Sequence, residues 1–236
     1  MEIVKENTIA EVVSKKLGSD HIFSKYNIDF CCGGGLTLEA ACTEKGITFE
    51  TLRQEIESMN NKIVGTSSLT DRDLGSLMQM VKTEYYPTID HSFKEILPLA
   101  SKVADVHGAG HCEVVDIKEL LQTVGICLDR TFANTLNGLF PAIDTILSLD
   151  NPNAEITFKQ LEALKGAVER ITAGQSFIEG VFHKIANLSS NYTAPEEACN
   201  SYRFLYQSLQ QLDNKVHGYM HFEKHVLVPK ALKIIA

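Results

Sequence analysis

The sequence predicts an all-α protein: a small helical domain bearing two adjacent cysteines, followed by an antiparallel four-helix bundle. Three observations predict it. Apolar residues recur at helical spacing in segment after segment, and no alternating strand pattern is present. Four segments are long, at roughly 70–106, 113–149, 157–190 and 196–233. Short breakers separate them, HGAGH at 107–111, DNPNAE at 150–155 and NYTAP at 191–195. Connections that short make neighbouring helices antiparallel.

The small domain is expected over residues 1–60, a linker over 61–68 within the polar stretch NNKIVGTSS, and the bundle over 69–236. In the first part, Thr8 is the N-cap expected for TIAEVVSKKL, and Ser19 or Asp20 for the SDHIFSKYNI stretch. The glycines Gly33–Gly35 break the chain. Thr37 then caps LEAACTEKG, which ends at Gly46, and Thr48 caps FETLRQEIESM. The predicted core is Val12, Val13, Ile22, Phe23, Tyr26, Leu38, Ile47, Leu52 and Ile56. A core of that size is marginal alone, so this part is expected to lean on the bundle or on a second subunit. In the bundle, Pro87 and Pro98 should break or kink the first helix.

Composition narrows the function. A chain of 236 residues that is 44% hydrophobic and 22% charged buries a real core. Its net charge of −8, with no basic run, argues against nucleic-acid binding. No stretch approaches the roughly 20 apolar residues that span a bilayer. The start, MEIVKENTIAEVV, has no basic-then-apolar leader. A cytoplasmic protein with reduced cysteines is expected.

The chemistry-bearing candidates are thiols and imidazoles. Cys31 and Cys32 sit between an apolar stretch and three glycines, in IDFCCGGGLTLEAAC. Adjacent cysteines rarely bond to each other, and the six cysteines form no C-x-x-C unit that would suggest structural zinc. Two readings stay open: a reactive pair before a helix N-terminus, or two small buried hydrophobes at a tight turn. Helical i, i+4 pairs that suit a bundle metal site are His91/Glu95 and Glu179/His183. The row His217, His221, His225 encloses Glu223. Each has a plain alternative, as an exposed ion pair, a solvent face or a subunit contact. Between Leu120 and Asp150 the second helix has no His and no Glu, only Asp129 and Asp144, which counts against a dinuclear site. His107 and His111 read as cap or loop residues.

The stretch IFSKYNIDFCCGGGLTLEAACTEKGI resembles the N-terminal domain of the repair-of-iron-centres proteins, the ScdA/YtfE-type iron–sulfur cluster repair family. KVADVHGAGHCE at 102–113, NYTAPEEACNSY at 191–202 and HGYMHFEKHVLVPKAL at 217–232 resemble later parts of the same family. The resemblance implies a hemerythrin-like bundle and a non-haem di-iron centre. It also implies repair of clusters after nitrosative or oxidative damage, iron–sulfur client proteins, a cytoplasmic location and a homodimer.

This chain departs from the family at the implied iron ligands. Glu223 matches the family glutamate, but the histidine four residues earlier is Tyr219. Anchored on Leu139-Phe140-Pro141, the second-helix His and Glu are Thr131 and Thr135; the third-helix His is Gln175. On the first helix one anchor selects Tyr86 and another Asp90, with His91 beside it. Glu223 and His91 are therefore the metal candidates left. His217 and His221, two residues from matched positions, are rotated about 200° and should face away from the bundle axis. Cys31 and Cys32 become the chemistry this chain is expected to retain.

Overall fold

A computed structural model describes residues 2–16, 19–26, 28, 30, 34–59, 69, 72–148 and 156–235. Among these the protein is helical, apart from a single antiparallel bridge between Thr8 and Thr37. It divides into two compact units: Met1–Leu77 with His217–Lys230, and Met78–Val216 with Ala231–Ala236. The expected linker at 61–68 lies outside the described residues.

The first unit holds α1 (Ile9–Lys15), α2 (Ser19–Lys25), α3 (Leu38–Lys45) and α4 (Phe49–Met59). Local chemistry starts and stops them. Thr8 closes a capping box with Glu11, and Thr37 accepts the Ala40 N–H. Thr48 accepts the Thr51 N–H at 3.2 Å ahead of α4. Gly46 ends α3 with φ +67, a left-handed conformation that glycine adopts without strain. The apolar faces meet in one core that contains seven of the nine predicted residues and adds Ile3, Ile9, Ile28 and Phe30, with Tyr26 and Ile47 partly buried against it. Lys25 and Tyr26 both bond Glu55, at 2.7 and 2.6 Å, tying α2 to α4.

Long helices make up the rest of the described chain. The run from α5 (Leu74–Met80) passes through a π turn, Val81–Tyr85, into α6 (Tyr86–His107). Next, α7 (Cys112–Asn134) passes through a π turn, Thr135–Leu139, into α8 (Phe140–Leu147). After these come α9 (Phe158–Leu188) and α10 (Asn200–Phe222), and α10 continues through a π turn, Glu223–Leu227, into α11 (Val228–Lys233). In the second unit α7 packs on both α6 and α9. Lys215 of α10 donates to the Ser92 hydroxyl of α6 at 2.8 Å. Tyr192, between α9 and α10, donates to Asp213 at 2.6 Å. The fourth helix starts at Asn200, not near 196, because Pro195–Ala198 forms a turn.

The three π turns among the described residues have one cause. Each is followed by one residue and then a proline: Tyr86-Pro87, Phe140-Pro141 and Val228-Pro229. Proline has no N–H, and its ring crowds the carbonyl four residues back. Widening the turn relieves the clash, and the residue before proline reaches back five positions instead. Tyr86, Phe140 and Val228 donate to Val81, Thr135 and Glu223 respectively. The helices therefore continue past Pro87, where the sequence suggested a break or a kink, and Pro98 lies inside α6 without ending it.

Candidate functional site

Cys31 and Cys32 lie outside the described residues, but the chain on either side is fixed. Before them, Ile28 and Phe30 are buried in the first unit's core. After them, the carbonyls of Gly34 and Leu36 accept the Ala10 and Ile9 N–H groups, at 2.9 and 3.0 Å. These are donors that the first turn of α1 cannot satisfy internally. A side chain at Gly34 would meet the Phe30 carbonyl at 3.1 Å and the Ala10 Cβ at 3.2 Å, so the close approach needs glycine. Cys42, by contrast, is buried in the same core, and burial pushes its thiol pKa up.

The last helix brings four chemistry-bearing residues into the first unit. Tyr219 donates its hydroxyl to Glu223 Oε1 at 2.8 Å, and both side chains are fully buried. On the opposite side, His221 is only 2% exposed. Its ring lies 6.1 Å from that of Phe30 and 4.4 Å from that of His225. Burial, reinforced by His225 and Lys224, lowers its pKa to about 4; the nearby Phe30 backbone opposes that shift without completing a hydrogen bond. His221 is thus neutral at pH 7, with neither ring nitrogen bonded to any of the described residues. The sequence reading put His221 on a solvent face or a subunit contact. The structure buries it instead, because the Phe30 segment covers that face.

In the second unit, the positions at the implied ligands are filled by ordinary packing. Thr131 and Thr135 are buried and donate to the carbonyls one turn back, Cys127 at 2.8 Å and Thr131 at 3.2 Å. Gln175 is buried on α9. Beside it, Gly174 packs so tightly on α7 that a Cβ would fall 2.4 Å from Thr131 Oγ1. Tyr86 packs on Phe132, with ring centroids 4.8 Å apart. Asp90 pairs with Lys94 at 2.6 Å. His91 is on the surface, 72% exposed, 3.4 Å from an equally exposed Glu95. His183 is exposed as well.

A further cluster closes one end of the helices in the second unit. His107 is the last residue of α6 and Cys199 directly precedes α10. His107 Nε2 lies 3.1 Å from Cys199 Sγ. His111 Nδ1 lies 3.1 Å from Glu113 Oε1, which also accepts the Tyr202 hydroxyl at 2.7 Å. Burial pushes the Glu113 carboxyl up, but the hydrogen bonds from Tyr202, its own backbone and His111 outweigh that and hold it below its usual value. Sequence reading made His107 and His111 cap or loop residues, and His111 is indeed the N-cap of α7, but it did not bring His107 to Cys199. The only signal was position: a histidine ending one helix and a cysteine opening another, 92 residues apart.

With this geometry in hand, comparison with known proteins becomes informative. A family model for the ScdA N-terminal domain, described as a domain of unknown function (DUF542), matches residues 5–60. The iron-sulfur cluster repair protein ScdA of Staphylococcus haemolyticus is 30% identical over 97% of this chain and 99% of its own length. The chain belongs to the ScdA family. ScdA of Staphylococcus epidermidis is 28% identical over 97% of this chain and 99% of its own. The iron-sulfur cluster repair protein YtfE of Yersinia pseudotuberculosis is 22% identical over 90% of each.

The di-iron centre implied by the resemblance does not fit the residues present here. A dinuclear site needs several His and carboxylate ligands. At the implied positions this chain has two hydroxyls that donate to backbone carbonyls, a glutamine, and a tyrosine bonded to the one surviving carboxylate. Hydroxyl and amide oxygens are poor partners for iron beside imidazole and thiolate. Among the described residues, no three His, Cys, Asp or Glu side chains gather to hold one metal ion.

Proposed function

We propose that this chain acts in the repair of iron–sulfur clusters under nitrosative or oxidative stress, working through Cys31 and Cys32 rather than through a di-iron centre in the bundle. The observation that carries the reading is the kinship with a repair protein over 97% of this chain and 99% of the relative. The thiol assignment draws on position. The pair follows buried Phe30 and precedes the Gly34–Leu36 carbonyls anchored on α1. Thiolates are the natural protein ligands of cluster iron, so iron at this pair is substrate in passage rather than a resident cofactor. The partners in this reading are proteins with damaged clusters, in the cytoplasm, and the working form is a homodimer. No helix among the described residues is long and apolar enough to cross a membrane.

The test is reactivation of an iron–sulfur hydro-lyase after peroxide damage, with the added protein as the variable. The wild-type chain should speed recovery, and the Cys31→Ser/Cys32→Ser variant should not. No recovery with the wild type would end the repair reading; full recovery with the serine variant would end the thiol assignment. Iron analysis of the purified protein should find substoichiometric metal, and sedimentation should find a dimer.

A second reading, a metal-free binding or dimerisation module, is favoured by the Gly174–Thr131 contact that fills the bundle with packing. It predicts that the serine variant keeps every measurable property of the wild type.

A further inference from the structure

The cluster at the end of α6 and the start of α10 has a chemistry that cluster repair does not use. We propose that Cys199 is a thiol modification site, with His107 as its proton acceptor, and that it takes small disulfides by thiol–disulfide exchange.

Three features place a nucleophile and a base together. Cys199 is exposed, so a small reagent can reach it. Its Sγ is 3.1 Å from His107 Nε2, hydrogen-bonding distance for a thiol giving its proton to an imidazole. Its carbonyl accepts the Arg203 N–H at 3.0 Å, which makes it the residue that opens a helix of 23 residues. A thiolate formed there meets the unbonded N–H groups of the first helical turn.

The base is held in place. The His107 ring lies 5.4 Å from that of Tyr202, which is fully buried and whose hydroxyl is bonded to Glu113 at 2.7 Å. Arg203 fastens the turn ahead of Cys199 by donating to the Ala198 carbonyl at 3.0 Å and to the Glu196 carbonyl. Neither partner has to search for the other.

The step balances without a further reagent. His107 Nε2 takes the Cys199 proton. The sulfur attacks one sulfur of a disulfide R–S–S–R, forming a Cys199–S–S–R bond as the R–S–S–R bond breaks. The other half leaves as RS⁻ and is protonated by His107. Cys199 is oxidised to a mixed disulfide and one RSH is released. Nucleophilicity therefore depends on the bare Nε2 tautomer of His107.

The probe is the aromatic disulfide DTNB at substoichiometric amounts on the full chain, with labelled peptides identified by mass spectrometry. Cys112 is also exposed and serves as an internal reference. Cys199 should react about tenfold or more faster than Cys112. His107→Gln should slow Cys199 by a similar factor while leaving Cys112 unchanged, and free imidazole should restore part of the rate to His107→Ala. Cys199→Ser, which leaves the histidine untouched, should abolish the mixed disulfide on that peptide. Equal rates at Cys199 and Cys112, or a His107→Gln rate equal to wild type, would overturn the proposal.

Discussion

Replacing His221 with leucine should make the protein more resistant to acid. In the folded chain the ring is buried, with a pKa of about 4 against an ordinary value of 6.5. The unfolded chain therefore binds more protons than the folded one between those two values, and stability rises with pH across that window. At about 1.4 kcal/mol per pH unit, the full gap amounts to roughly 3.4 kcal/mol, lost as pH falls from above 6.5 to below 4. Between pH 7 and pH 4.5 the loss from this one group is about 2.5 kcal/mol. His225 and Lys224, the charged or titrating neighbours that face the ring, are the same in both proteins. Urea unfolding followed by far-UV circular dichroism at pH 7 and pH 4.5 isolates the His221 contribution. The wild type should lose about 2.5 kcal/mol more than His221→Leu on acidification. At pH 7 the variant should also be the more stable, because it removes a buried polar ring with no hydrogen bond among the described residues. Equal acid losses in the two proteins would refute this account of the ring.

Three other outcomes follow from packing and caps. Gly174→Ala should destabilise by about 1–3 kcal/mol despite alanine's better helix propensity, because its Cβ would meet Thr131 Oγ1 at 2.4 Å; a gain in thermal stability would contradict the close α7–α9 contact. Thr8→Ala should cost about 1 kcal/mol, since it removes the capping box of α1, read as a lower urea midpoint. Phe23→Ala, in the centre of the small core, should cost about 3–5 kcal/mol and strip amide-exchange protection from α1–α4.

What the sequence disclosed and what it hid divide by range. Caps at Thr8, Thr37, Thr48 and Gly46 act within one turn, so residue type and spacing reveal them. The small core was readable for the same reason, from apolar residues at helical spacing. The replaced ligand positions rest on the family resemblance, and the structure gives threonine a role at two of them: the Thr131 and Thr135 hydroxyls each satisfy a carbonyl of their own helix. The burial of His221 was not legible, because its cover is Phe30, at the other end of the chain. Nor was the His107–Cys199 couple, whose members share no element. Pattern reading placed an irregularity at Pro87 but not its form, a wider turn that lets the helix run on.

The three π turns carry a consequence for how this lineage tolerates insertion and loss. Five residues at π pitch wind less than five at α pitch, by about the 100° that a single residue contributes. Each turn thus behaves as one extra residue spliced into an α-helix. Deleting a residue between Thr135 and Leu139 would restore α pitch and leave Phe140, Ile143 and Ile146, all now buried, on the same face, because four residues at α pitch wind about as far as five at π pitch. Straightening the turn with its residue count unchanged would instead swing everything downstream by about 100°. Relatives of this chain should therefore shed a bulge by losing one residue, with the buried face beyond it unchanged.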